Sequence, residues 1–162
     1  MREADLVKYF KDYKWSNISA MLRNLKSAPE ICREDFHDRL VVITGATSGI
    51  GYATAKKYAS HGAEILSINR NEQKSIVFCE SIEKQYGTKC SYWIADLSSL
   101  AEVHSVGERL AALGRNIDVF IHNAGVFNTK KTITADKLEA VFQTNYLSTF
   151  ILNYYLKQKL IN

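Results

Sequence analysis

The residues best placed to do chemistry form a glycine-rich segment, Thr44-Gly45-Ala46-Thr47-Ser48-Gly49-Ile50-Gly51. An apolar β-type run, Leu40–Thr44, precedes it, and a helical pattern follows as far as about His61. A helix N-terminus carries unpaired N–H groups and a partial positive charge, so it attracts a pyrophosphate. In such a loop Gly45 permits the sharp turn, Gly49 lets the backbone approach the phosphates and Gly51 lets the helix pack closely on the strand. The competing account is a tight loop that merely needs flexible residues. Strand, loop and helix agree here, and that agreement favours the anion-binding account.

A second chemically informative position follows the next strand. A carboxylate there bonds the ribose 2′-OH of NAD and repels a 2′-phosphate. This chain has Ile68-Asn69-Arg70-Asn71, with no acid. Arg70 can offer a bidentate fork to a phosphate, and the Ser48 hydroxyl can add a hydrogen bond. In isolation Arg70 would read as a surface arginine ending a strand.

These residues need a scaffold, and the hydrophobic pattern supplies one. Strands are expected at Leu40–Thr44, Glu64–Ile68, Ser91–Ala95 and Asp118–His122. Helices are expected after the glycine loop, from an Asn71 cap to Tyr86, from a Ser98 or Ser99 cap to Leu113, and from about Thr134 to the end. Gly62 and Gly87 close the first two of these helices. Alternating strands and helices imply an α/β fold, a doubly wound parallel sheet of the Rossmann type. Residues 39–162 carry this pattern, and residues 1–38 form a helical N-terminal extension.

Four segments together resemble the short-chain dehydrogenase/reductase family. TGATSGIG resembles its TGxxxGxG cofactor motif. Asp96-Leu97 resembles its adenine-contacting acid and neighbour, Asn123-Ala124-Gly125 its NAG motif, and Asn145 the helix asparagine of its catalytic tetrad. The details GYATAKKYASHGAEILSINRN and NYLSTFILNYYL resemble the retinol-dehydrogenase-like and WW-domain-oxidoreductase-like branch. The resemblance implies cofactor contacts from Gly45, Thr47, Ser48, Gly49, Ile50, Gly51, Asn69, Arg70, Asp96, Leu97, Asn123, Ala124 and Gly125. With Arg70 in place of an acid it implies NADP rather than NAD. Asp96 can also start the turn before the next helix.

Asn145 falls in register with Leu138, Val141 and Leu152, on the expected apolar seam of the last helix. A buried asparagine needs partners. A bond to neighbouring backbone serves that need. So does the family's arrangement, a kink and an ordered water relayed to the catalytic lysine.

In the family a tyrosine supplies the proton for carbonyl reduction, a lysine four residues later lowers its pKa, and a serine from the fifth strand orients the substrate. Tyr52–Lys56 and Tyr155–Lys159 match YxxxK in letters. The first lies on the glycine-loop helix. The second follows Asn145 by ten residues on one helix, with no room for the intervening strand. Neither is expected to be catalytic. The expectation is therefore an incomplete domain, truncated after about four strands and lacking the catalytic serine and Tyr-x-x-x-Lys. A small carbonyl or alcohol is the expected substrate of a full-length form only. A non-catalytic nucleotide-binding or interaction module is the alternative. The 134–160 helix is a candidate homodimer face by the same resemblance, and the open edge of the fourth strand is a pairing hazard.

Composition narrows the class. Of 162 residues 46% are hydrophobic and 23% charged, which suits one globular domain rather than a disordered chain. The net charge of +4 is spread without a basic block, so no nucleic-acid partner is expected. Cys32, Cys79 and Cys90 are odd in number and without CxxC spacing, and the histidines are scattered. Unpaired thiols, no metal and a cytoplasmic location are the expectation. In the extension, Leu6, Phe10, Tyr13, Ile18, Met21, Leu22 and Leu25 recur at roughly helical spacing among lysines, until Ser27-Ala28-Pro29 interrupts the pattern. Such a helix packs on the domain it precedes, or lies on a membrane surface. The mixed charges favour packing.

Overall fold

The structure is a computed structural model that describes residues 15–26, 32–157 and 159. The chain forms two compact units, residues 1–33 and 34–162. In the first, helix α1 spans Trp15–Lys26 and exposes Met21 and Leu22. Leu6, Phe10, Tyr13 and the Ser27-Ala28-Pro29 break lie outside the described residues. No helix among the described residues is long and apolar enough to cross a membrane.

The second unit runs β1 (Leu40–Thr44), α2 (Gly49–Ala59), β2 (Glu64–Asn69), α3 (Glu72–Tyr86), β3 (Cys90–Ile94), α4 (Leu100–Ala111) and β4 (Val119–Ile121). A short turn α5 (Ala140–Phe142), a π-helical turn (Gln143–Leu147) and α6 (Ser148–Leu156) complete it. The strands are parallel, in the order β3-β2-β1-β4. Successive side chains of a strand point to opposite faces. Val41 and Ile43 accordingly pack with Ala55 and Ala59 of α2 and with Phe78 and Ile82 of α3. Leu40 and Val42 pack with Val103, Val106 and Leu110 of α4 and with Leu152 and Leu156 of α6. Both faces of the sheet are covered, which is why β1 is apolar at nearly every position and wholly buried. The doubly wound α/β architecture is the one expected.

Local signals set most boundaries. Asn71 Oδ1 accepts from Lys74 N at 2.9 Å, and Gly87 ends α3 in the left-handed region at φ 68°. Ser99 caps α4, accepting from Glu102 N. β4 is shorter than the expected Asp118–His122. At its start the Asp118 carboxylate accepts from Leu40 N at 2.7 Å, and at its end the N–H groups of Asn123 and Ala124 turn to the Thr44 hydroxyl.

The last helix departs from expectation. It begins at Ala140, not at Thr134. Residues 133–139 form a tight turn closed by an isolated bridge between Ile133 and Glu139, with Lys137 at φ 62°. Asp136 is drawn out of any helix by other partners: its Oδ2 accepts from Leu100 N at 2.8 Å and from Gln143 Nε2 at 2.6 Å. Glu139 then starts the helix, accepting from Val141 N and Phe142 N, and these two bonds hold its carboxyl below the usual carboxylate range.

Glu64 sits at the start of β2 between Lys89 at 2.9 Å and Arg115 at 2.6 Å. Burial pushes its carboxyl up, but hydrogen bonding and charge from Lys89, then Arg115, outweigh it and hold the carboxyl below its ordinary range. A depressed carboxyl stabilises the fold above the unfolded-state pKa and loses that contribution as pH falls through the folded value. Glu64→Gln is therefore expected to lower unfolding free energy by roughly 0.5–1 kcal/mol at neutral pH. The gap should close on acidification through the carboxylate range. Urea titrations at several pH values check this, and a gap independent of pH would refute it.

Candidate functional site

A cleft of about 700 Å³ opens at the carboxyl ends of the strands, beside the loop that joins β1 to α2. Small-molecule clefts in open α/β sheets form at this edge, where the strand order reverses. β1 is that reversal point, with β2 on one side and β4 on the other.

The floor is held by a network centred on Thr44, 1% exposed. Its hydroxyl accepts from Asn123 N at 3.1 Å and Ala124 N at 3.0 Å. Asn123 Nδ2 donates back to Thr44 O at 3.1 Å and Gly45 O at 2.9 Å. The loops after β1 and β4 are thus one body. Asn69 anchors the other side. It is 4% exposed, its Oδ1 accepts from Ala46 N at 2.9 Å, and its Nδ2 donates to the Ser67 and Ser75 hydroxyls.

The glycines answer to this geometry. Gly45 has φ +70°, and a Cβ there would stand 3.0 Å from the Ala124 backbone. A Cβ on Gly51 would stand 2.3 Å from Gly45 O and 2.4 Å from Asn123 Nδ2. Ser48 sits at the N-cap of α2 but makes no side-chain capping bond. The first N–H groups of α2 therefore have no side-chain cap from Ser48, and the positive end of the helix dipole adds to their attraction for an anion.

All the expected contact residues line the cleft except Gly49, which adjoins it at φ +58°. Gly45, Thr47, Ser48, Ile50 and Gly51 form one wall, and Asn69 and Arg70 the far end. Asp96 and Leu97 flank it, and Asn123, Ala124 and Gly125 form the floor. Asp96 does start the turn before α4, accepting from Ser98 N and the Ser98 hydroxyl through Oδ1.

Asn145 stands elsewhere than expected. It is exposed and does not line the cleft. The reason is the π-helical turn, in which Ser148 N donates to Gln143 O. One extra residue in the turn rotates the apolar seam by about 100°. Gln143, Thr144 and Ser148 are buried in its place. Asn145 instead clasps the loop after β4: its Oδ1 accepts from Val126 N at 2.8 Å and its Nδ2 donates to Val126 O at 2.9 Å.

Lys74 and Thr144 also line the cleft, and the sequence reading gave neither a role there. Lys74 follows Arg70 by four residues, in the first turn of α3, and a second cation so near Arg70 could have flagged it. Thr144 is 6% exposed, and its hydroxyl is buried without a hydrogen-bond partner. No sequence signal marks it, because the π-helical turn sets its phase. An orphaned hydroxyl on the wall, a loop with no free space for a Cβ at Gly45 or Gly51 and two cations at one end all fit a phosphate-bearing dinucleotide.

No tyrosine among the described residues lines this cleft. The Tyr155 hydroxyl pairs with His104 Nδ1 at 3.0 Å, and the Tyr52 hydroxyl lies 3.4 Å from Ser81 Oγ. Neither YxxxK match brings its tyrosine to the site.

A family model described as short chain dehydrogenase matches residues 39–161. A WW domain-containing oxidoreductase of Drosophila melanogaster is 39% identical over 127 residues, 76% of this chain and 31% of its own length. An oxidoreductase of E. coli superposes with a TM-score of 0.69 at 26% identity, over 83% of this chain and 57% of its own. A short-chain dehydrogenase from Sphingobium yanoikuyae in complex with NADPH superposes with a TM-score of 0.65 at 27% identity, over 73% of this chain and 46% of its own.

Proposed function

The chain belongs to the short-chain dehydrogenase family, and from that premise we propose that its cleft binds NADP(H) in preference to NAD(H). One observation carries this reading. The end of the cleft beyond β2 holds Arg70 and Lys74 and no carboxylate from the strand terminus, where NAD binders place an acid. In this reading the α2 N-terminus and Gly45–Gly51 hold the pyrophosphate, Asp96 and Leu97 the adenine, and Arg70, Lys74 and Ser48 the 2′-phosphate. Ala124 and Gly125 keep the floor low enough for the cofactor to lie against it.

A bound nicotinamide would supply hydride exchange with a carbonyl or an alcohol. The chain spans 31% of the length of its Drosophila relative. Reaction and substrate are accordingly proposed for a protein in which a proton donor completes the site. The alternative is a module that holds the cofactor without turnover. NADPH is expected to raise the melting temperature of this chain more than NADH at equal concentration. Equal shifts would remove the NADP assignment.

A second proposal rests on the outer face of the last helix. Phe142, Tyr146, Phe150 and Tyr154 recur every four residues and are 47–74% exposed. Contiguous exposed apolar patches of this kind mark association sites. We propose that a second copy of the chain covers this stripe in an isologous dimer. Sedimentation velocity should report a dimer for the parent and a monomer for Phe150→Glu. A monomeric parent at high micromolar concentration would rule the dimer out.

A further inference from the structure

We propose that Cys79 and Cys90 form a reversible intramolecular disulfide, a modification site independent of the cofactor reading, with a peroxide as the class of oxidant. The two residues are eleven apart in sequence and share no redox motif. The fold nevertheless sets Cys90, the first residue of β3, against Cys79 in the middle of α3. Their sulfurs are 3.0 Å apart. Nonbonded carbons rest at about 3.5–4.0 Å, and sulfur is larger than carbon. Closure to the roughly 2.05 Å of a disulfide needs a shift of only about 1 Å.

The pair is also chemically asymmetric. Cys90 Sγ donates to Cys79 Sγ. That bond lowers the Cys79 pKa against the opposing effect of burial, and the same bond together with burial raises the Cys90 pKa. Cys79 is therefore the thiol that ionises first, and the thiolate is the nucleophile. Both residues are buried, at 7% and 8% exposure. A small oxidant suits that access, and bulkier disulfides do not.

The chemistry balances with a peroxide. The Cys79 thiolate attacks one peroxide oxygen, the O–O bond breaks, and the departing hydroxide takes up a proton as water. Cys79 is then a sulfenic acid. Cys90 gives up its proton and attacks the Cys79 sulfur, the S–O bond breaks, and a second water leaves. Two thiols lose two electrons and two protons, and the peroxide is reduced to two waters. The bridge would tie α3, whose first turn carries Lys74, to β3, the strand that leads to Asp96.

The test uses the full chain carrying Cys32→Ser, which removes the exposed third thiol. The protein is exposed to hydrogen peroxide, quenched, denatured and alkylated. Peptide mass mapping should find Cys79 joined to Cys90 within monomeric chains, with both thiols restored by dithiothreitol. Adding Cys90→Ser should leave a Cys79 sulfenic acid that dimedone captures. Two thiols that remain fully alkylatable would overturn the proposal. So would Cys79 proceeding to sulfinic acid with Cys90 still free, or bridges found only between chains. The mapping on the Cys32→Ser chain decides the matter even if the Cys90→Ser variant does not fold.

Discussion

Replacing Arg70 and Lys74 together with alanine is expected to weaken NADPH binding by about 10- to 100-fold and to change NADH binding by less than about threefold. The two side chains line the same end of the cleft, on either side of the Asn71 cap. Hydrogen bonds to charged groups contribute about 1.5–3 kcal/mol each, and both cations here are exposed, so the lower part of that range applies. Arg70 should contribute more than Lys74, because a guanidinium meets phosphate oxygens in a fork. The preference should also fall with ionic strength, since exposed charges are screened. Fluorescence titration of each nucleotide at two salt concentrations measures all of this. A loss shared equally by NADPH and NADH would show that these cations act on the pyrophosphate or on the fold, and the 2′-phosphate reading would go.

Gly51→Ala should be the most damaging single-methyl change in the loop. The added Cβ would meet Gly45 O at 2.3 Å and Asn123 Nδ2 at 2.4 Å. Neither neighbour can yield cheaply. Gly45 O is backbone and already accepts from Asn123, and the Asn123 amide also holds Thr44 O. Overpacking of this kind costs about 1–3 kcal/mol, and more where backbone must move. A domain of this size should melt several degrees lower, at roughly 2–8 °C per kcal/mol. The damage also falls on the joint between the loops after β1 and β4, so the melting shift given by NADPH should shrink with it. Gly49→Ala is the control. It strains a left-handed backbone at φ +58° but has no atom within 4 Å of the new Cβ. It should lower stability by about 1–2 kcal/mol while leaving that joint intact. Melting of Gly51→Ala within a degree of the parent would show the joint to be softer than these contacts imply.

Much of the fold was legible because its signals are short-ranged. The Asn71 cap, the Gly87 stop and the Ser99 cap of α4 each depend on residues within four positions of one another. The glycine loop was legible for the same reason. The start of the last helix was not, because Asp136 and Gln143 form bonds across the fold. Gln143 Nε2 reaches Ser98 O at 2.8 Å, and Asp136 caps α4, thirty-six residues back. A helical pattern from Thr134 onward cannot register those competitors.

By itself, then, the sequence determined that a strand would hand over to a helix through Gly45–Gly51, that no acid would follow β2, and that apolar residues would cover both faces of a parallel sheet. These are consequences of backbone sterics, hydrogen-bonding preference and side-chain period, which act between near neighbours. Only the tertiary structure decided which distant groups meet. It bound Asn123 to Gly45, turned Asn145 outward and Thr144 into the cleft wall, and set Cys79 against Cys90. Each outcome depends on crossover handedness and on how helices seat on the sheet. The extra residue of the π-helical turn shows how little it takes. It leaves every residue's local preference unchanged and still exchanges which side chains reach the site.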